Sequence, residues 1–197
     1  MTTVVDYGAG NLRSVANTLS QLQSEYVITS DPAVVANAVK LILPGVGHFG
    51  QMMDAIDRLH LRDALLERIR AGIPFLGICV GLQCLFEGSE EAPGALGLKL
   101  FPGTVRRFSG AHRIPHMGWN SLARVKPARL LAHLEPQPFT YFAHSYYAPI
   151  VEATAATCMY AHPYTALLEH GNVYAVQFHP EKSGPVGLRV MQNFLAI

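Results

Sequence analysis

Two nearly continuous apolar runs, each feeding a glycine-bearing turn, constrain this chain more than any other feature. Residues 39–43 (VKLIL) run into Pro44-Gly45-Val46-Gly47, and residues 73–78 (IPFLGI) run into Cys79-Val80-Gly81. A strand with one wet face alternates apolar and polar side chains, so runs this apolar belong to strands covered on both faces, as in a parallel sheet between two helix layers. The flanking pattern agrees. Residues 2–6 and 25–29 read as strands, residues 11–23 and 32–38 as helices, and residues 51–71 as one long helix closed by Gly72. After residues 89–94 come shorter strand candidates, at 98–108, 119–125, 139–146, 153–160, 165–169 and 173–178, and then an amphipathic helix over 184–197. The expected architecture is one α/β domain over residues 1–197, with three α/β/α layers around a mostly parallel central sheet that antiparallel strands extend.

Composition removes several function classes. Half the residues are hydrophobic and 15% are charged, yet no stretch reaches the roughly 18 consecutive apolar residues of a membrane-spanning helix. Fifteen basic residues against 14 acidic ones leave a formal charge of +1, too weak a field to gather nucleic acid. The opening MTTVVDYGAG enters a strand pattern without a basic leader or signal core, so a soluble, cytoplasmic protein is expected. Cys79, Cys84 and Cys158 show neither a zinc spacing nor a disulfide framework, and Cys84 and Cys158 are assigned to packing. His48, His60, His112, His133, His162 and His170 have no ligand-spaced companions and are expected in solvated or hydrogen-bonded structural roles; no metal and no cofactor is implied.

Cys79 is set apart by its neighbours. Gly77-Ile78-Cys79-Val80-Gly81 has the form of a nucleophile elbow, in which small flanking residues permit a strained strand-to-helix turn. The helix amino terminus beyond it favours thiolate over thiol and offers N–H groups to an oxyanion. By itself the elbow also fits a cysteine hydrolase of peptides or esters, or a buried structural cysteine. A base appears in Phe178-His179-Pro180-Glu181, where residues two apart on extended backbone share one side, so that Glu181 can orient His179. Nucleophile, base and orienting acid would then sit at the carboxyl ends of two strands. Gly45, Val46 and Gly47 can bring further N–H groups to the oxyanion, with Val80 N–H as the first donor; otherwise they form an ordinary strand-ending turn.

GICVGLQ (77–83), PGVGHFG (44–50) and QFHPEKS (177–183) resemble, in content and order, the class I or triad glutamine amidotransferases, across nearly the whole chain. The resemblance implies a flavodoxin-like α/β/α fold and hydrolysis of glutamine through a thioester on Cys79. His179 would carry the proton to departing ammonia and Glu181 would hold its tautomer. Gln83 matches a position that contacts glutamine, and His144, Ser145 and Tyr146 match a segment lining the same pocket. Val80 and Leu82 stand where the family more often has Leu and Met, apolar exchanges of similar volume.

Within that family, DYGAGNLRSV (6–15), PHMGWN (115–120) and YFAHSYY (141–147) resemble the glutaminase subunits of imidazole glycerol phosphate synthases of histidine biosynthesis. Glutaminases serving vitamin B6 or anthranilate synthesis share the triad; PHMGWN and PGVGHFG separate this chain from them. Ammonia loses its nucleophilicity once water protonates it, and 197 residues leave no room for an acceptor domain. The resemblance names the acceptor as a (β/α)8-barrel cyclase subunit in a heterodimer, which makes imidazole glycerol phosphate and the aminoimidazole carboxamide ribotide. His116, Met117, Trp119 and Asn120 fall in the partner-facing region, and Asn11 in a loop approaching the same subunit.

Overall fold

The structure is a computed structural model that describes every residue except Gly10, within the 6–15 string, and Ala111. In chain order the first half holds β1 (Thr2–Val5), α1 (Leu12–Gln21), β2 (Tyr26–Thr29), α2 (Pro32–Ala36), β3 (Leu41–Gly45), α3 (Phe49–Arg58), α4 (Leu61–Arg70), β4 (Phe75–Cys79) and α5 (Val80–Gln83). The second half adds β5 (Gly88–Ser89), β6 (Thr104–Arg107), β7 (His116–Ser121), β8 (Ala123–Arg124), β9 (Phe139–His144), β10 (Tyr146–Tyr147), β11 (Thr154–Met159), β12 (Pro163–His170), β13 (Val173–Val176) and α6 (Gly184–Leu195).

The main sheet has the order β2-β1-β3-β4-β13-β12-β11-β8. Its first five strands are parallel and its last three pairings antiparallel. Every residue of β1, β3, β4 and β13 is buried, as a sheet covered on both faces requires. The step from β1 to β2 runs opposite to the step from β2 to β3, so right-handed crossovers put α1 and α2 on opposite faces. Accordingly α1 packs with α6, while α2 and α3 pack with α4. The three-layer α/β/α architecture is the expected one.

Three details differ from the sequence reading. The helix expected over 51–71 is two helices, broken where His60 takes φ +55°. Arg62 braces the break, donating to Asp57 at 2.5 and 2.9 Å and to the carbonyls of Gly97 and Leu96 at 2.7 and 3.0 Å. The strand expected at 39–43 lies at Leu41–Gly45, because Val39 is exposed and Lys40 turns away to donate to the Phe194 and Leu195 carbonyls ending α6. Pro44 is tolerated so deep in the sheet because pairing with β1 stops at Ile42, leaving no ladder bond there for its missing N–H to break. Finally, among the described residues only part of the second half extends the main sheet: β7 pairs with β9 alone, β5, β6 and β10 form a separate sheet, and the run at 98–108 contributes only β6.

This topology positions the site. β3, β4 and β13 are neighbours, Gly45 is in register with Cys79 and Val176 with Ile78, so three carboxyl ends converge on one crevice.

Candidate active site

Cys79 adopts φ +55° and ψ −107°, an elbow that crowds three backbone segments together. A Cβ at Gly77 would collide with the Gly81 carbonyl, one at Gly81 with the Leu43 carbonyl oxygen, and one at Gly45 with the Gly81 nitrogen. Only glycine fits at these contacts, which explains the G-x-C-x-G string and the glycine after Pro44. The elbow leaves Cys79 immediately before α5 and 3% exposed.

His179 lies three residues beyond β13, with Nδ1 2.9 Å from Glu181 Oε1. Since the carboxylate accepts, Nδ1 carries the hydrogen and Nε2 is left for Cys79. Burial works to lower the His179 pKa, but hydrogen bonding to Cys79 and Glu181, and their charge, outweigh it and hold it at about 10. Asn11 Nδ2 donates to the same Glu181 oxygen at 3.2 Å, so this residue, expected to approach a partner, braces the triad's acid. Ser183 Oγ donates to the His179 carbonyl at 2.7 Å and accepts the Tyr141 N–H at 2.9 Å, which clamps the segment to β9.

A cavity of about 380 Å³ opens between these groups. Among the residues singled out in the sequence, Val46, Gly47, Cys79, Val80, Gln83, Met117, His144, Ser145, Tyr146 and His179 line it. Gly45 lies under the elbow, Glu181 sits behind His179, and His116, Trp119 and Asn120 are outside the cavity. The Val46 amide is engaged: it donates to the Tyr7 hydroxyl at 3.1 Å, while that hydroxyl donates to the Val46 carbonyl at 3.2 Å. In this conformation Val46 N–H is therefore not offered to the cavity.

Sequence reasoning missed Tyr7, Gln177 and Glu91. Glu91 lines the cavity and accepts the Phe49 N–H at the start of α3 at 2.7 Å. Gln177, fully buried, places Nε2 3.6 Å from Cys79 Sγ and accepts a hydrogen bond from Gln83 at 3.1 Å. Its place within QFHPEKS was the available signal.

His116, expected in the partner-facing region, has its own side chain turned into the interior. It is 4% exposed, its ring stacked on Tyr160 at 4.0 Å and on Phe142 at 4.9 Å. The reason is strand alternation: along β7, Met117 and Trp119 point outward, 65% and 56% exposed, and His116 points in. Asn120 donates to the Met159 carbonyl at 2.9 Å and lies 3.5 Å from His116 Nε2. Tyr164 Oη bridges His116 Nδ1 at 3.1 Å and His144 Nε2 at 3.2 Å, and His144 Nδ1 donates to the Tyr146 carbonyl at 2.8 Å. Burial lowers the His116 pKa to about 4. It also lowers that of His144 to about 3, with His116 and His179 adding to the effect against the Tyr146 carbonyl.

Cys84 and Cys158 are fully buried, and burial pushes their thiols up to about 12 and about 11. His162 departs from its expected role, since its Nε2 is buried and has no hydrogen-bond partner among the described residues. Among the described residues no helix is long and apolar enough to cross a membrane.

An elbow cysteine, a paired histidine and three converging strand ends define a class that sequence comparison also finds. The profile described as "Glutamine amidotransferase class-I" matches residues 3–197, and the chain belongs to that family. Within the family it groups with proteins called imidazole glycerol phosphate synthase subunit HisH. It is 47% identical over 198 residues to the one from Methanothermobacter thermautotrophicus, covering 100% of this chain and 98% of that protein. To the one from Deinococcus radiodurans it is 47% identical over 195 residues, covering 97% and 91%. Among solved structures, a glutamine amidotransferase superposes with a TM-score of 0.76 at 20% identity, covering 98% of this chain and 97% of the other. PurLQS from Thermotoga maritima gives 0.75 at 20% identity, covering 99% and 97%. At such identity the likeness speaks for the fold alone.

Proposed function

We propose that the chain is the glutaminase subunit of an imidazole glycerol phosphate synthase, one amidotransferase domain over residues 1–197 whose triad is Cys79, His179 and Glu181. The observation that carries this reading is the strained Cys79 elbow sharing a cavity with His179, whose Nδ1 is held by Glu181 at 2.9 Å, in a chain that groups with HisH subunits.

The chemistry follows from those positions. Cys79 sulfur attacks the side-chain carbonyl carbon of glutamine while His179 holds the proton. The tetrahedral intermediate collapses as the C–N bond breaks, and His179 passes its proton to the departing ammonia. Water then adds to the thioester, its proton going to His179; glutamate leaves and the sulfur is regenerated. Glu181, fixing the tautomer, stabilises the imidazolium formed at each turn. Val80 N–H at the elbow is the first oxyanion donor, and Val46 or Gly47 completes the hole once Val46 leaves Tyr7. Gln83, His144, Ser145 and Tyr146 shape the pocket for glutamine.

Met117 and Trp119 point outward beside the cavity mouth and suit the docking face for a (β/α)8-barrel cyclase, in a heterodimer that takes the ammonia. Such a subunit works in the cytoplasm beside its cyclase, with low activity until the partner's ligand binds. Glutamate release should be measured for the chain alone and with a barrel cyclase plus its ribonucleotide, beside Cys79→Ala. Strong stimulation that disappears in the variant is expected. Stimulation by neither addition sinks the partner assignment, and turnover surviving in Cys79→Ala sinks the triad.

A further inference from the structure

We infer that Gln177 is a further residue of the catalytic site, donating a side-chain N–H to the Cys79 sulfur in an orientation imposed through Gln83 by the Tyr146 carbonyl. The inference rests on Cys79 being the nucleophile.

Gln177 follows β13, is 0% exposed, and its backbone N–H is already taken by the Ala166 carbonyl at 2.9 Å. Which end of a glutamine amide is nitrogen must be argued from its partners. The Tyr146 carbonyl only accepts, so the Gln83 atom 2.8 Å from it is Nε2. The second hydrogen on that nitrogen reaches Gln177 at 3.1 Å, so the Gln177 atom there is its oxygen. The end of Gln177 lying 3.6 Å from Cys79 Sγ is then the NH2. A flipped Gln177 would set two NH2 groups against each other and aim an oxygen lone pair at the sulfur. The anchor is itself pinned, because the Tyr146 carbonyl also receives His144 Nδ1–H at 2.8 Å.

A donor aimed at sulfur favours its charged form over the neutral thiol. Sulfur carries that charge twice in the reaction, before it attacks and again when water expels it from the thioester. No proton leaves Gln177 in either step. A buried amide is costly unless both ends are bonded, and an apolar side chain of the same length would fill this space without that cost. Both ends of the Gln177 amide are bonded because Gln83 donates to its oxygen and the sulfur takes one of its hydrogens.

The titratable groups around Cys79 are His179 with Glu181 behind it, Tyr7 after β1 and Tyr164 on β12, and Glu91, His144, Tyr146 and Lys182 in the lining of the same cavity. Burial pushes Tyr7 up to about 12 and Tyr164 well above the usual phenol value, so both stay neutral through the assay range.

The test is the rate of alkylation by iodoacetamide from about pH 5 to about pH 9, spanning the ordinary histidine and cysteine range. Peptide mass spectrometry assigns the site, and melting curves check folding, for wild type, Gln177→Met, Gln177→Glu and Gln83→Met. In wild type, Cys79 should react ahead of Cys84 and Cys158. Gln177→Met should raise the Cys79 midpoint by about one unit, slowing the reaction below it roughly tenfold, as loss of a weak donor to a charged group does. Gln177→Glu should raise it further by setting a carboxylate against the sulfur. Gln83→Met, which frees the Gln177 amide to turn, should shift it the same way by less, and decides the matter if Gln177→Met does not fold. Folded variants with the wild-type midpoint overturn the inference about Gln177 alone. An unreactive wild-type Cys79 instead overturns its reading as the nucleophile.

Discussion

Tyr7→Phe should raise the glutaminase activity of the isolated chain. One hydroxyl holds both polar groups of Val46, accepting from its N–H at 3.1 Å and donating to its carbonyl at 3.2 Å. Phenylalanine keeps the buried ring and removes both bonds. A neutral hydrogen bond contributes about 0.5–1.5 kcal/mol net, so the pair favours the held conformation by about 1–3 kcal/mol. Val46 is only partly buried and water can reach it, which argues for the lower part of that range, about 1–2 kcal/mol. That corresponds to a roughly 5- to 30-fold rise in the population whose Val46 N–H is free. While that population is small, the rate follows it proportionally. In a complex that has already released Val46 the same substitution changes little, so the stimulation ratio should fall as the basal rate rises. Glutamate release at saturating glutamine, alone and with partner and ligand, gives both numbers. A basal rate that stays at wild type in a variant of normal melting temperature would refute the latch. Equal losses in both states would instead make Tyr7 part of the catalytic machinery.

Gly81→Ala drives a Cβ into the Leu43 carbonyl; neither backbone can yield, and a loss of about 3 kcal/mol or more is expected as a large drop in melting temperature, with activity abolished. Glu181→Gln removes charge that helps hold the His179 pKa at about 10; kcat should fall, and the alkaline limb where imidazolium is lost should move to lower pH, which a pH–rate profile detects. His116 and His144 are held neutral, with pKa values of about 4 and about 3 against an unfolded value of about 6.5. Below about pH 6.5 the unfolded chain therefore binds protons that the folded chain refuses, so stability is lost as pH falls toward those values. His116→Phe, despite lower stability at neutral pH, should melt with a shallower acid dependence between about pH 6.5 and pH 4 than wild type; equal slopes would contradict this account. Trp119→Ala should leave the melting temperature unchanged and weaken cyclase binding at least about tenfold, as loss of a central aromatic anchor does, measured by titration calorimetry.

The parts of this fold legible in the sequence are those where burial or hard contact dictates residue type. Leu41, Ile42 and Leu43, or Phe75, Leu76 and Ile78, are apolar on both faces because helices cover both faces. Gly77 and Gly81 are glycines because carbonyl groups occupy the space a Cβ would need. His179 and Glu181 are readable as a pair because two residues of extended chain bring them together locally. The break at His60 shows the opposite case. No glycine or proline marks it, and it is held by Arg62 reaching carbonyls 34 and 35 residues away. The Tyr7 contact to Val46 spans 39 residues and depends on one hydroxyl, which no periodicity reveals.

PHMGWN gives the most instructive division. Taken as a string it is expected to lie in a partner-facing region, and in β7 its side chains alternate, so Met117 and Trp119 are outward while His116 begins an interior array. Both buried histidines are neutral, so each has one donor and one acceptor nitrogen, and the direction of every bond follows from the last. His144 Nδ1–H donates to the Tyr146 carbonyl, so His144 Nε2 accepts from the Tyr164 hydroxyl. That hydroxyl then accepts His116 Nδ1–H, and His116 Nε2 faces the Asn120 amide as an acceptor. The Tyr146 carbonyl also receives Gln83, which orients Gln177 toward Cys79. Turning any one of the buried members His116, His144 or Tyr164 would set donor against donor or acceptor against acceptor, so a displacement of β7 is felt beyond one link. The strand that bears the exposed Met117 and Trp119 thus holds the far end of the bonds that orient the nucleophile's surroundings.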